Sequence, residues 1–282
     1  MPEATLSRIR VLVTHLGRMW PNVLHRQICL REFGSNERLR KAIDNSYAAH
    51  THNLLVSVLF YDLIREVSAL VLDPDARTGS LQRIYAQILQ PGALGDLRRE
   101  YEVTQPIPLG NDDELTPAQR AEAEMVWSED ERSRSIAEFV RLRKAVMRLR
   151  APTLESNVAN KVLAIRNKGV AHQEFSSDAE GARPWSIRDA GLTYGELDAY
   201  IDQCSKSIEK MELFVRRAHF EFSGFSEVRR RYVREYVDAL CAGREQQIAV
   251  QRVRRSHDQK KWERMKVSGT TSTPRVRPAR AK

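Results

Sequence analysis

Between Ile165 and His172 the chain reads Ile-Arg-Asn-Lys-Gly-Val-Ala-His, so an arginine, an adjacent amide and an imidazole fall close together. These are the group types needed to hold a phosphodiester and move protons on it. A guanidinium presents a rigid fork of donors to phosphate oxygens, which an ammonium does not. An imidazole, titrating near neutrality, can take or return a proton. Spacing alone carries little in a chain this rich in arginine. Arg10 with His15 and Arg252 with His257 are both Arg-x4-His, and Arg18 with His25 is Arg-x6-His. What sets Arg166 and His172 apart is the polar Asn167 directly after the arginine, together with a position at the end of a helix. At the level of residues two interpretations stand: a catalytic pair, or an Arg166 paired with a carboxylate and a His172 that caps its helix.

The helix that must carry these groups is expected to open at Pro152-Thr153, with Leu154, Val158, Val162 and Ile165 as its buried stripe. On an ideal helix Arg166 and His172 would lie about 120° apart, so they need a break to converge. Gly169 is the residue that would permit one.

The surrounding pattern is all-α, a helical bundle with no defensible strand. Residues 4 to 33 read as two helices broken at Pro21, since the residue before proline is biased away from helical angles. Asn36 is a capping residue, and a long helical pattern runs from it to about Leu72. Ser80 caps a short helix that Pro91-Gly92 ends, and a less regular stretch follows. Capping boxes stand at Thr116, Ser128 and Thr193. The helix opened at Ser128 carries a basic face, Arg141, Arg143, Lys144, Arg148 and Arg150, that is either solvated or lines a polynucleotide groove. After Ser176-Ser177-Asp178 the chain loops through Gly181 and Pro184. A last bundle helix ends at Gly243. Asp62 and Glu66, one turn apart, are either an acid pair or members of an ion pair with Arg65 or a neighbouring helix.

The net charge of +9 is local. From Arg244 to Lys282 twelve Lys or Arg face three acids, whereas the other 243 residues hold 34 of each sign. The tail is helical in propensity to Lys266 and disordered in composition beyond it. Arg252, Arg254, Arg255, Lys260 and Lys261 are its candidate phosphate contacts, acting through charge without sequence preference. A merely solubilising tail is the alternative.

Other classes are disfavoured. The longest nearly apolar run, Leu54 to Ile64, is interrupted by Ser57 and Asp62 and falls short of the ~20 residues a membrane span needs. No secretory h-region opens the chain. Cys29, Cys204 and Cys241 are odd in number and dispersed, against both a disulfide framework and a zinc cluster, and consistent with the cytoplasm. Seven dispersed histidines offer no helix-compatible ligand pair, so no metal or other cofactor is expected.

Arg166-Asn167-x4-His172, near the end of a helix in an all-α chain, resembles the motif of HEPN domains, the higher-eukaryote and prokaryote nucleotide-binding helical bundles. The flank from Leu163 to Glu174 is similar to the AbiU-type subgroup linked to phage abortive infection, as is the Leu63-Ile64-Arg65-Glu66 helix that reaches Asp73 before Ser80-Leu81 opens the next. The likeness covers residues 36 to 222. It implies an N-terminal helical extension over 1–35, a HEPN-like domain over 36–222, a further helix over 223–243 and a basic helix with tail over 244–282. It also implies metal-independent RNA cleavage where two copies of the motif meet in a homodimer. Arg166, Asn167 and His172 would be catalytic, and Lys168 would help bind RNA. An antitoxin or defence-system partner is expected for such a toxin. A non-catalytic helical module that binds RNA, a nucleotide or a protein is the competing expectation.

Overall fold

The longest apolar stripe in the chain lies on its first helix and decides where the core sits. Leu6, Ile9, Val13, Leu16, Trp20, Val23 and Leu24 recur every three or four residues, and all are buried. In the computed structural model, which describes residues 2–44, 47–75, 77–103, 116–171, 175–178, 181–184, 187–218 and 220–267, this stripe runs along one unbroken helix, α1 (Pro2–Ser35), with Pro21 inside it. The expected break is therefore absent. A proline within a helix costs about 3 kcal/mol, but burying each large apolar side chain contributes roughly 1.5–3 kcal/mol. Trp20 and Val23, on either side of the proline, are both fully buried, so tertiary packing outweighs the local bias.

Around α1 the chain lays α2 (Glu37–Ile43), α3 (Tyr47–Val67), α4 (Leu81–Ile88), α5 (Pro91–Glu102), α6 (Pro117–Leu154), α7 (Asn157–Ala164), α8 (Ile187–Ala190), α9 (Tyr194–Arg216) and α10 (Phe222–Val267). α1 packs against α3, α4, α5, α9 and α10, and α9 packs against α6. A smaller apolar cluster, Ile28, Leu39, Val233, Val237 and Cys241, joins α1, α2 and α10. Among the described residues no helix is long and apolar enough to cross a membrane.

Several helix starts follow from capping chemistry as the sequence predicts. Asn36, Ser80, Thr116 and Thr193 each accept a backbone N–H from three residues on, and Thr116 and Thr193 form full capping boxes with Gln119 and Glu196. Other boundaries differ. The pattern from Asn36 to Leu72 is divided between α2, which ends at Ile43, and α3, which passes into a π-helical turn at Ser68–Leu72. Pro91 starts α5 rather than merely ending α4, because proline suits a first helical position and Ala93, Leu97 and Tyr101 then supply a buried stripe. Ser128 opens nothing. It lies inside α6, and its hydroxyl donates to the Met125 carbonyl at 2.9 Å. Pro152-Thr153 closes α6 instead of opening a helix, and the Thr153 hydroxyl donates to the Leu149 carbonyl at 2.7 Å. α10 passes through Gly224 and Gly243 without interruption. The segment read as a loop holds a short antiparallel hairpin, β1 (Phe175–Asp178) with β2 (Gly181–Pro184), in register Phe175 to Pro184. Strands of four residues rich in Ser, Gly and Pro carry no alternation to read.

A buried polar network fixes the centre of the bundle. Tyr85 Oη donates to the Val146 carbonyl at 3.0 Å and lies 3.0 Å from Ser207 Oγ, while Tyr200 Oη donates to the Thr153 carbonyl at 2.7 Å. These bonds tie α4 and α9 to the end of α6, where Pro152 has no N–H to give. α1 approaches α9 so closely at Gly17 that a Cβ there would collide with Glu212 Oε1. Glu212 is itself buried and held by Arg216 Nη1 at 2.7 Å, so it has little room to yield. Gly17→Ala is expected to destabilise the chain by up to about 2 kcal/mol, an overpacking cost of about 1–3 less the roughly 1 kcal/mol gained in helix propensity. Urea unfolding of the variant against the parent protein measures it.

Candidate functional site

Ser156 begins the element that presents the motif. Its hydroxyl accepts the Ala159 N–H at 3.1 Å and starts α7, whose Ala159 and Val162, with Ile165 beyond them, are fully buried. At Ile165 the backbone widens into a π-helical turn, Ile165–Ala171. The departure from α geometry thus spans Gly169, where the sequence allows a break, but without a left-handed residue. The only glycine with positive φ among the described residues is Gly191, and the chain departs from α geometry by widening instead. Ile165 anchors the turn in the core, while Arg166, Asn167 and Lys168 are exposed. Arg166 Nη1 donates to Asn167 Oδ1 at 3.1 Å, so the amide steadies the plane of the guanidinium. Among the described residues Arg166 forms no ion pair. His172 falls just past the turn, outside the described residues.

The turn packs against α3, α7 and α8, and α7 packs against the earlier π-helical turn at Ser68–Leu72. One polar fastening fixes α7 from the other side. Lys161 Nζ donates to the Gly191 carbonyl at 2.8 Å and to Glu196 Oε1 at 2.7 Å. Glu196 Oε2 in turn accepts the Thr193 N–H at 2.8 Å within the capping box of α9. The sequence shows the box but not its second use. Bonded first to the Lys161 ammonium and then to Thr193, the Glu196 carboxyl is held at a pKa of about 2, against an ordinary 4.5. Because the folded value is depressed, this contribution to stability is present above the ordinary value and disappears as pH falls from about 4.5 towards about 2. Glu196→Gln is expected to be less stable than the parent protein at neutral pH and to lose less on acidification through that window, as melting curves across pH would record.

The remaining candidates stand on other elements. Arg252, Arg254, Arg255, Lys260 and Lys261 are all exposed on the distal half of α10, a helix whose main packing partners are α1 and α2. The α6 basic face is solvent-exposed, with Arg141 paired to Glu138 and Arg150 to Glu155. Asp62 and Glu66 are ion-paired with α1: Arg26 Nε lies 2.6 Å from Asp62 Oδ2 and Nη1 lies 2.5 Å from Glu66 Oε2. Burial pushes the Glu66 carboxyl up. The two cysteines buried in the bundle, Cys204 and Cys241, are free, as is Cys29, and burial raises all three thiols. Buried, protonated thiols are poor nucleophiles and poor ligands.

A family model described as AbiU2, of the HEPN type, matches residues 12–236. The chain belongs to the AbiU2-type HEPN family. The match takes in most of α1 and the first part of α10 as well as the 36–222 region, in keeping with the place of α1 at the centre of the core. The HEPN match also contains α7 and the π-helical turn that carries Arg166, Asn167 and Lys168. Neither among curated proteins nor among solved structures was a match found.

Proposed function

We propose that this AbiU2-type HEPN protein is a metal-independent endoribonuclease acting as a toxin in antiphage defence. The observation that carries the proposal is the exposed Arg166–Asn167 pair on a π-helical turn whose Ile165 is locked in the core. π-Helical turns within α-helices recur at functional sites. His172 takes the proton from a ribose 2′-hydroxyl, and the 2′-oxygen attacks phosphorus. The bond to the 5′-oxygen breaks, and that oxygen is protonated as it leaves. The products are a 2′,3′-cyclic phosphate and a 5′-hydroxyl. Arg166 grips the non-bridging oxygens and stabilises their developing charge, with Asn167 setting the plane of its fork. RNA is drawn in by Lys168 and by the basic half of α10.

The active form in this proposal is a homodimer in which two turns meet. α3, which packs against the turn, leaves Leu54, Leu55 and Val58 exposed, and a second copy would cover them. The setting is cytoplasmic, with an antitoxin or defence-system partner restraining the enzyme. The test is cleavage of single-stranded RNA by purified protein in excess EDTA, with the product ends identified.

One observation favours a second function, a non-catalytic RNA-binding module. Residues 251–261 of α10 are exposed without exception and rich in arginine and lysine. That function predicts binding that falls steeply with salt, is largely lost on deleting residues 244–282, and is indifferent to Arg166→Ala.

A further inference from the structure

Two helices extend beyond the bundle, and they carry opposite charge. α6 buries nothing before Ser135. Over residues 117–131 it holds Glu122, Glu124, Glu129, Asp130 and Glu131 against Arg120. This acidic arm also exposes Met125, Val126 and Trp127, large apolar groups that a solvated arm does not need. At the other end of the chain, α10 from 244 to 267 holds eight Lys or Arg against three acids. Ile248, Ala249 and Arg252 line the groove between α10 and α2. The opposite side of the same helix, Val250, Val253, Arg254, His257 and Lys261, is exposed.

The two free stripes match in pattern as well as in sign. On α6, Gln119, Glu122, Ala123, Val126 and Asp130 follow steps of three, four, seven and eleven from the first residue, and line a shallow groove with Trp127. On α10, Val250, Val253, Arg254, His257 and Lys261 follow the same steps. Each stripe is therefore about 16 Å long and lies on one helical face. The α6 stripe sets Ala123 and Val126 between Glu122 and Asp130, and the α10 stripe opens on Val250 and Val253 and continues into Arg254 and Lys261, so each combines apolar residues with charge of one sign, the composition by which paired helices choose a partner.

We propose that the acidic stripe of α6 in one copy of this chain binds the basic stripe of α10 in a second copy. With the two helices antiparallel, Val126 and Trp127 pack on Val250 and Val253, and Glu122 then lies between Arg254 and Lys261. In the single chain Asp130 is paired with Arg134, and Trp127 Nε1 donates to Glu131, weak exposed contacts that association can exchange. This pairing does not rest on the ribonuclease proposal and uses none of the motif residues.

Sedimentation velocity of the full-length chain tests it. The parent protein should associate at about 0.1 M salt and at least about tenfold more weakly at about 1 M, where screening shortens to about 3 Å. Glu122→Lys with Glu129→Lys, and separately Arg254→Glu with Lys261→Glu, should each abolish the salt-sensitive association. All four positions are exposed, and circular dichroism checks that the fold is kept. Mixing the two double variants should restore it. Association through the apolar face of α3 would persist at high salt and in both variants, so it registers separately. The proposal is overturned if the parent association is insensitive to salt, if either double variant associates as the parent does, or if the mixture associates no better than its components. Loss of RNA binding alone in the α10 variant, with association unchanged, overturns it equally.

Discussion

Arg166→Ala is expected to slow RNA cleavage by about 10²–10³-fold, the usual consequence of removing a preorganised group aimed at developing phosphate charge. The side chain lies on the surface and bonds only to the neighbouring Asn167 among the described residues. Its removal should therefore change stability by no more than about 0.5 kcal/mol. The separation of effects is what makes the variant informative, because a loss of rate without a loss of fold is a loss of chemistry. Arg166→Lys should recover little, since an ammonium keeps the charge but not the fork. Asn167→Ala should fall between the parent protein and Arg166→Ala, because the guanidinium persists but loses the amide that orients it. Single-turnover rates beside thermal melts of the same samples distinguish these outcomes. An Arg166→Lys variant as fast as the parent would mean that only charge matters there.

The second large effect is one of stability. Trp20→Ala should destabilise the chain by about 3–5 kcal/mol, the range for emptying a buried aromatic site. Trp20 is fully buried, and its Nε1 donates to Ser205 Oγ at 2.8 Å, so the substitution opens a cavity and removes a bond between α1 and α9, although the Ser205 hydroxyl still donates to the Ile201 carbonyl at 2.9 Å. Trp20→Phe keeps most of the apolar volume and should cost less. The position matters because Pro21 follows it. The roughly 3 kcal/mol penalty of an internal proline is offset by burial on both sides, and Trp20 is the largest part of that burial. With the ring gone, α1 should fray at Pro21 first, seen as faster amide exchange in the second half of α1 than in the first. Uniform exchange along α1 in the variant would show that the helix does not depend on this anchor.

What could be read from the sequence was the chemistry of helix starts and the periodicity of burial. Asn36, Ser80, Thr116 and Thr193 cap helices because short polar side chains satisfy backbone donors that no helix can satisfy for itself. Of the stripe ending at Ile165, Val162 and Ile165 are fully buried and Leu154 and Val158 half-buried, and the apolar series of α1 and α9 lie in the core because apolar residues at helical spacing share one face. Breakers were the weak point. Pro21, Ser128, Gly224 and Gly243 all look like interruptions locally, yet each lies within a helix that tertiary packing or strong neighbouring helix formers carry through. A propensity of about 1–3 kcal/mol decides a boundary only where packing is silent.

The site divides the same way. Arg166 and Asn167 were legible as types in sequence, and their exposure beside a buried Ile165 followed from the stripe. The π-helical turn was not legible, because one extra residue per turn leaves no compositional trace. The fastening of Lys161 to Glu196 was hidden too, since it joins residues far apart in the chain that meet only when α7 packs beside α9. Arg252, Arg254, Arg255, Lys260 and Lys261 were visible as a charge cluster on a segment of helical propensity, and the structure joins that segment to the last bundle helix as one continuous α10.

The most direct measurement of the central claim is RNA cleavage by the purified parent protein and by His172→Ala in excess EDTA, with the termini of the products identified. The ribonuclease proposal predicts cleavage by the parent protein that leaves 2′,3′-cyclic phosphate and 5′-hydroxyl ends, and a His172→Ala protein slower by about 10²–10⁴-fold, the range for general acid–base catalysis. Equal residual cleavage by the two proteins, or products ending in 5′-phosphate, would contradict it.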